Sequence, residues 1–145
     1  HAPVQKFGDR MALGTDGFPG DMFSETRLAF FKGRDGGNGL SAGHYLEFLH
    51  GGHRLCSEIF EKPMGVLETG AAADLIILDY PSPTPLDNDN LASHIVFGMK
   101  AEHVTEVMIA GNFVVRNKEL VGKDVGKVYQ KSREAAERLW TKMGK

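Results

Sequence analysis

Only one cysteine, Cys56, occurs in 145 residues, so no internal disulfide can form, and the absence of any C-x-x-C pair removes a thiolate cage or dithiol redox site. That usage fits a reducing compartment, and a cytoplasmic location is expected. No apolar run approaches the roughly 20 residues that span a bilayer, so no membrane partner is expected. An excess of either charge is lacking too: 17 basic and 19 acidic side chains leave a formal −2. That supplies no field to draw in nucleic acid. There is no initiator methionine or basic leader before His1-Ala2-Pro3, and the chain is expected to be a piece of something longer. No internal repeat, H-E-x-x-H or G-x-S-x-G is present.

What is there is a soluble, foldable composition, with 41% hydrophobic and 25% charged residues, both near globular averages. Residues 1–60 alternate strand and helix signals. Pro3 to Phe7 suits a helical turn ended by Gly8, and Arg10 to Thr15 a short buried strand. DMFSETRLAFF, from Asp21, predicts a helix broken by the Gly33–Gly39 run, GRDGGNG. Ser41 opens another helix, within which Gly51-Gly52 either interrupts it or lets a second backbone approach closely. Beyond Lys62-Pro63 the pattern changes. Leu75 to Leu78 is continuously apolar, the mark of a strand covered on both faces. PSPTPLDNDN is a loop, a short helical stretch follows at Asn90 to Gly98, and VTEVMIAGNFVVRNKELV predicts a hairpin turning at Gly111-Asn112. From Asp124 onward Val125, Val128, Ser132, Ala135, Leu139 and Met143 recur every three or four residues, an amphipathic helix.

Candidate chemistry is sparse. In MALGTDGFPGD, Met11 to Asp21, an apolar run stops at a turn and holds up Asp16. That carboxylate can be a turn aspartate bonding its own backbone, or a metal ligand and general base at the mouth of a strand. The pattern does not separate the two. His50, His53 and Cys56 have spacings that could put ligands on one helical face, but match no established metal motif. DNDN, Asp87 to Asn90, fails as a calcium loop, because Leu91 and Ala92 fall where an oxygen ligand and a glycine belong. GRDGGNG lacks the lysine of a phosphate loop, and Cys56 beside Leu55 in a helical pattern is a poor nucleophile.

The order of four segments is more specific than any one of them. APV, MALGTDG and DMFSETRLAFFKGRD, then GVLETGAAADLIILD, then VTEVMIAGNFVVRNKEL together resemble the metal-dependent amidohydrolase superfamily in its deaminase and chlorohydrolase branch. FFKGRD and DYPSPTPL are most similar to the SsnA-type aminohydrolases. The resemblance implies an α/β plus β fold: the C-terminal end of a (β/α)8 TIM barrel, with strand eight at Arg10 to Asp16, joined to half of a small β-sandwich. Residues 1–60 would belong to the barrel, 61–121 to the sandwich, and 122–145 to a helix packing back on the barrel.

The same resemblance implies that Asp16 is both the catalytic residue and a metal ligand. It also implies a divalent metal, zinc or iron, in the intact enzyme, and aminohydrolase (deaminase) chemistry on a small heterocyclic substrate. The family's other ligands would lie upstream of His1, so this chain alone is expected to hold no metal and to be inactive. Its expected partners are the small-molecule substrate and either the upstream barrel segment or further copies of itself. Ring-opening or dechlorinating hydrolysis at the same site is the alternative reaction, and a non-catalytic interaction module the alternative role. Ala71-Ala72, where a charged residue is usual, and a last turn of Asn117-Lys118 without glycine depart from the family pattern.

Overall fold

The computed structural model describes residues 6–7 and 10–144; most of the turn expected over residues 3–8 lies outside them. Helix α1, Met22–Asp35, starts where Asp21 turns its carboxylate back to accept the Phe23 and Ser24 N–H groups at 3.0 and 3.1 Å. Two of the four donors that a helix start leaves unpaired are thereby satisfied. The helix does not break at Gly33 but runs on to Asp35, stopping at Gly36. Gly33 is needed inside it because the Tyr45 hydroxyl and the Asn38 side chain occupy the space a Cβ would take. Helix α2, Ala42–Phe60, begins at Ser41 as expected and ends on Glu61 in the left-handed conformation.

Residues 10–15 form no strand, contrary to expectation. A strand exists only through a ladder partner, and among the described residues none lies alongside. The alternation of a strand survives nonetheless: Met11, Leu13 and Thr15 are half-buried while Ala12, Gly14 and Asp16 are exposed. Met11 and Leu13 pack against the core of Tyr45, Phe48 and Val96, with Ala29 and Phe30 completing that side. Phe30 meets Tyr45 and Phe97 edge to face at 5.4 and 5.0 Å, and Tyr45 meets Phe48 at 5.3 Å, a geometry that aromatic quadrupoles favour. Gly51 accounts for the close approach read from Gly51-Gly52, since a Cβ there would collide with the Met11 carbonyl.

The second half is an antiparallel sheet of β1 (Leu75–Leu78), β2 (Val104–Ile109), β3 (Asn112–Arg116) and β4 (Glu119–Leu120), in that order. Leu75 pairs with Met108 and Val107 with Val115. The β2–β3 turn falls one residue before the expected position, with Ala110 and Gly111 as its central residues at φ 48° and 80°. Asp74 decides this by accepting the Ala110 N–H at 2.6 Å, and the Gly111 N–H bonds the Ala73 carbonyl. Strand β1 is not covered on both faces, as Ile76 and Ile77 remain 45% and 44% exposed among the described residues.

Between β1 and β2, helix α3 (Leu91–Ser93) widens into a π-helical turn, His94–Gly98. Its Val96 is fully buried against α1 and α2. Arg27 of α1 donates from Nε to the Val96 carbonyl and from Nη2 to the Met99 carbonyl, both at 2.9 Å. Helix α4, Val125–Lys142, starts on the Asp124 carboxylate and has no buried residue.

The close contact at Gly51 yields the first prediction. Gly51→Ala is expected to destabilise the chain by about 1–3 kcal/mol through overpacking. Gly52→Ala, with nothing within 4 Å of its Cβ, should be neutral or stabilising by up to about 1 kcal/mol, since alanine is the better helix former. Urea denaturation of both variants checks this, and equal effects would refute the close-approach reading.

Candidate active site

Asp16 stands at the far end of the extended segment, exposed, in a turn closed by the Phe18 N–H bonding the Thr15 carbonyl at 3.0 Å. Its φ is 49°, a conformation aspartate tolerates better than most residues. Two independent features hold it there. Gly51 lets the start of the segment lie against α2, and the inward side chains of Met11 and Leu13 are gripped by the core. The carboxylate is therefore aimed outward from a segment anchored along its whole inner edge.

Among the described residues no three His, Cys, Asp or Glu side chains are grouped so as to hold a metal ion, and the reason is visible in how the histidines are used. His44 Nδ1 accepts the Ser41 N–H at 3.2 Å at the start of α2, and His103 Nδ1 accepts the Lys100 N–H at 3.1 Å before β2. In both, the ring nitrogen substitutes for the side-chain acceptor usual in a capping box. His94 lies between two hydroxyls, Tyr80 at 2.8 Å on Nδ1 and Thr84 at 3.1 Å on Nε2. Three histidines are thus committed to holding backbone and loops in place. A carboxylate is an oxygen donor of the kind a zinc or iron ion accepts, but among the described residues no metal-holding group forms around Asp16.

His50 and His53 do come together, their rings 5.8 Å apart, in a cleft of about 440 Å³ that Arg54, Ser57, Glu58 and Met64 to Val66 also line. Gly65, at φ 77°, lies flat on the His53 ring, leaving no room for a Cβ. Cys56 is half-buried and is not a wall of this cleft. The cleft is next to Gly51 and hence to the start of the extended segment, whereas Asp16 is five residues further on, about 17 Å along an extended chain. Sequence reasoning missed Arg27, which sets the position of the whole 94–99 turn; a single arginine in an amphipathic helix carries no local sign that it will point inward.

The segment order agrees with the comparisons. The amidohydrolase family profile matches residues 2–114. The chain belongs to the amidohydrolase family. Among its relatives, a 5′-deoxyadenosine deaminase of Methanopyrus kandleri is 34% identical over 137 residues, which is 91% of this chain and 32% of that protein. A 5-methylthioadenosine/S-adenosylhomocysteine deaminase of Haloquadratum walsbyi is 29% identical over 140 residues, 94% of this chain and 32% of that one. The chain thus spans about a third of the length of these relatives. In three dimensions it resembles part of a zinc-bound adenosine deaminase from Xanthomonas campestris with a TM-score of 0.62, at 24% identity, over 83% of this chain and 28% of that one. This amidohydrolase chain therefore shares that protein's fold across the matched part, and its own architecture is a set of helices beside a small antiparallel sheet. No helix among the described residues is long and apolar enough to cross a membrane.

The cleft has a titration signature. Burial first, and the neighbouring His50 charge second, hold the His53 imidazole below its ordinary value of 6.5. The folded protein then binds the proton less readily than the unfolded chain. Stability is therefore fully present above pH 6.5 and declines as pH falls through the depressed folded value. An NMR titration should place the His53 midpoint below 6.5, and His50→Ala should raise it without restoring it fully. A midpoint at or above 6.5 would contradict the assignment.

Proposed function

We propose that this chain is the C-terminal portion of a metal-dependent amidohydrolase, an aminohydrolase that removes an exocyclic amino group from a small heterocycle. The observation that carries the reading is the match of residues 2–114 to the family, which includes Asp16 at the end of its anchored segment. Relatives named as deaminases of 5′-deoxyadenosine and of 5-methylthioadenosine/S-adenosylhomocysteine support an adenine-type nucleoside as that heterocycle. In this reading residues 1–60 complete a (β/α)8 barrel, and residues 10–16 become its eighth strand once flanking strands from a preceding segment supply ladders on both edges. Residues 61–121 form half of a sandwich whose other half covers one face of β1. The remaining metal ligands come from that preceding segment, and the intact protein works in the cytoplasm.

A bound divalent ion, zinc or iron, supplies Lewis acidity that brings the ionisation of water down towards neutral pH. Asp16 has two tasks. In the intact enzyme the Asp16 carboxylate would help hold the ion and would accept a proton from the water that adds to the ring carbon bearing the amino group. Passing that proton to the amino nitrogen would let it leave as ammonia, and the remaining hydroxyl proton would move to the adjacent ring nitrogen as the carbon becomes a carbonyl. The outward aim and anchored backbone of Asp16 suit this work because a general base must hold its oxygen within hydrogen-bond reach of the water throughout.

In the full-length enzyme Asp16→Asn keeps an oxygen ligand and the side-chain size but removes the base. Turnover is expected to fall by about 10²–10⁴, with the melting profile of the metal-free protein unchanged, because Met11 and Leu13 and not Asp16 make the packing contacts. Normal turnover would return Asp16 to the role of a turn aspartate. The 145-residue chain alone should hydrolyse nothing and retain no stoichiometric metal, since a catalytic ion normally needs three or more protein ligands; metal analysis and an ammonia-release assay test this.

A further inference from the structure

The turn that presents Asp16 has two ends, and one side chain is tied to both. Upstream, Met11 and Leu13 lie on the core of Tyr45, Phe48 and Val96. Val96 is fully buried, and its carbonyl accepts the Arg27 Nε–H at 2.9 Å while the Met99 carbonyl accepts from Nη2 at the same distance. Downstream, the Phe18 N–H bonds the Thr15 carbonyl at 3.0 Å and the Asp21 N–H bonds the Pro19 carbonyl at 2.7 Å. Asp21 then starts α1, its carboxylate accepting the Phe23 and Ser24 N–H groups and the Ser24 hydroxyl, the last at 2.6 Å. Arg27 stands on this same helix, about 9 Å along the axis from Asp21. The Ser24 hydroxyl above all, and the Arg27 charge to a smaller extent, hold the Asp21 carboxyl below its ordinary value.

These contacts close a ring. From Asp16 back through Leu13 and Met11 the path enters the core at Val96, crosses to α1 through the guanidinium, and returns along the helix to Asp21 and the turn. Every link is internal to this chain. Packing of Met11 and Leu13 on the core is apolar, and apolar contact is non-directional. The Arg27 fork is directional: its acceptors lie 69 and 72 positions away in sequence, and two bonds from one planar group fix orientation as well as distance.

We propose that Arg27 is a positioning residue for the catalytic base. By fastening the 94–99 turn to α1 it holds the two ends of the Asp16 turn in fixed relation, which keeps the carboxylate within reach of the water it deprotonates. Arg27 acts through the backbone and takes no part in the chemistry itself. The inference rests on the reading of Asp16 as that base, and it makes the turn that precedes β2 part of the frame of the active site.

The full-length enzyme carries the test, with 5′-deoxyadenosine as the probe substrate. Arg27→Lys keeps the charge and loses the fork. It should lower kcat by about ten- to a hundredfold, the scale of an ångström-sized misplacement, with KM held within about twofold because ground-state binding is untouched. Bound metal should not change. In the metal-free protein the Phe18 amide should exchange with solvent about tenfold faster, with β2 and β3 amides unaltered. Val115→Ala, which weakens the sheet away from the ring, controls for lost stability and should leave kcat of the folded protein as it was. If Arg27→Lys does not fold, Asp21→Ala cuts the ring at the helix cap, a loss that folded proteins tolerate, and the same split between kcat and KM is expected. Unchanged kcat in whichever of the two folds overturns the positioning role, as do an equal fall in Val115→Ala and a fall without faster Phe18 exchange. Asp16→Asn separates this result from the reading beneath it. Normal turnover there, or none in the wild type, sinks the catalytic reading and the role of Arg27 together, whereas lost turnover there beside unimpaired Arg27→Lys refutes the positioning role alone.

Discussion

The two hydrogen bonds from Arg27 to the carbonyls of Val96 and Met99 join the helical half of the chain to the sheet half. A π-helical turn leaves main-chain acceptors without partners at its end, and Val96 lies fully buried among α1, α2 and the aromatic side chains. An acceptor left dry in that position would cost about 1–3 kcal/mol. One guanidinium answers two of them, and its planar fork fixes the direction of approach as a lysine could not. With the turn held, Phe97 reaches Phe30, Tyr80 reaches His94, and β1 and β2 are delivered at the spacing their register needs.

The core so organised is small. Tyr45, Phe48, Val96 and Met99 are its buried apolar members, and Met11 and Leu13 are laid on it by a backbone that passes within contact of Gly51. What the core does for function is positional: it holds the inner edge of residues 10–15 still while the next residue, Asp16, is presented outward. In the proposed role of Asp16 as a proton acceptor this matters, since misplacement of a catalytic group by an ångström costs about 10²-fold in rate.

Much of this was legible in the residue pattern. Helix starts at Asp21 and Asp124 were visible because a small polar side chain ahead of an amphipathic run has a local job, pairing free N–H groups, and the start at Ser41 carries the same kind of residue, there set against His44. The strand at Leu75 to Leu78 and the strands on either side of Gly111 were equally local, being β-branched or apolar runs bounded by turn residues. The family resemblance was carried by segment order and survived comparison. Three features were misread. Strand β1 read as covered on both faces and instead leaves Ile76 and Ile77 exposed. The hairpin turn moved by one residue because Asp74, 36 positions away in sequence, accepts the Ala110 N–H. Residues 10–15 had the composition of a strand without a partner to make one.

Local propensity and capping, which depend on neighbours within about four residues, are written in the sequence, as are the amphipathic stripe of α4 and the turn that lifts Asp16. Contacts between distant segments are not. The inward direction of Arg27, the approach of the Met11 backbone to Gly51 and the seating of His94 between the Tyr80 and Thr84 hydroxyls were decided only when groups remote in sequence came together. A buried donor or acceptor takes whatever partner folding brings to it, and nothing near it in sequence says which one that will be.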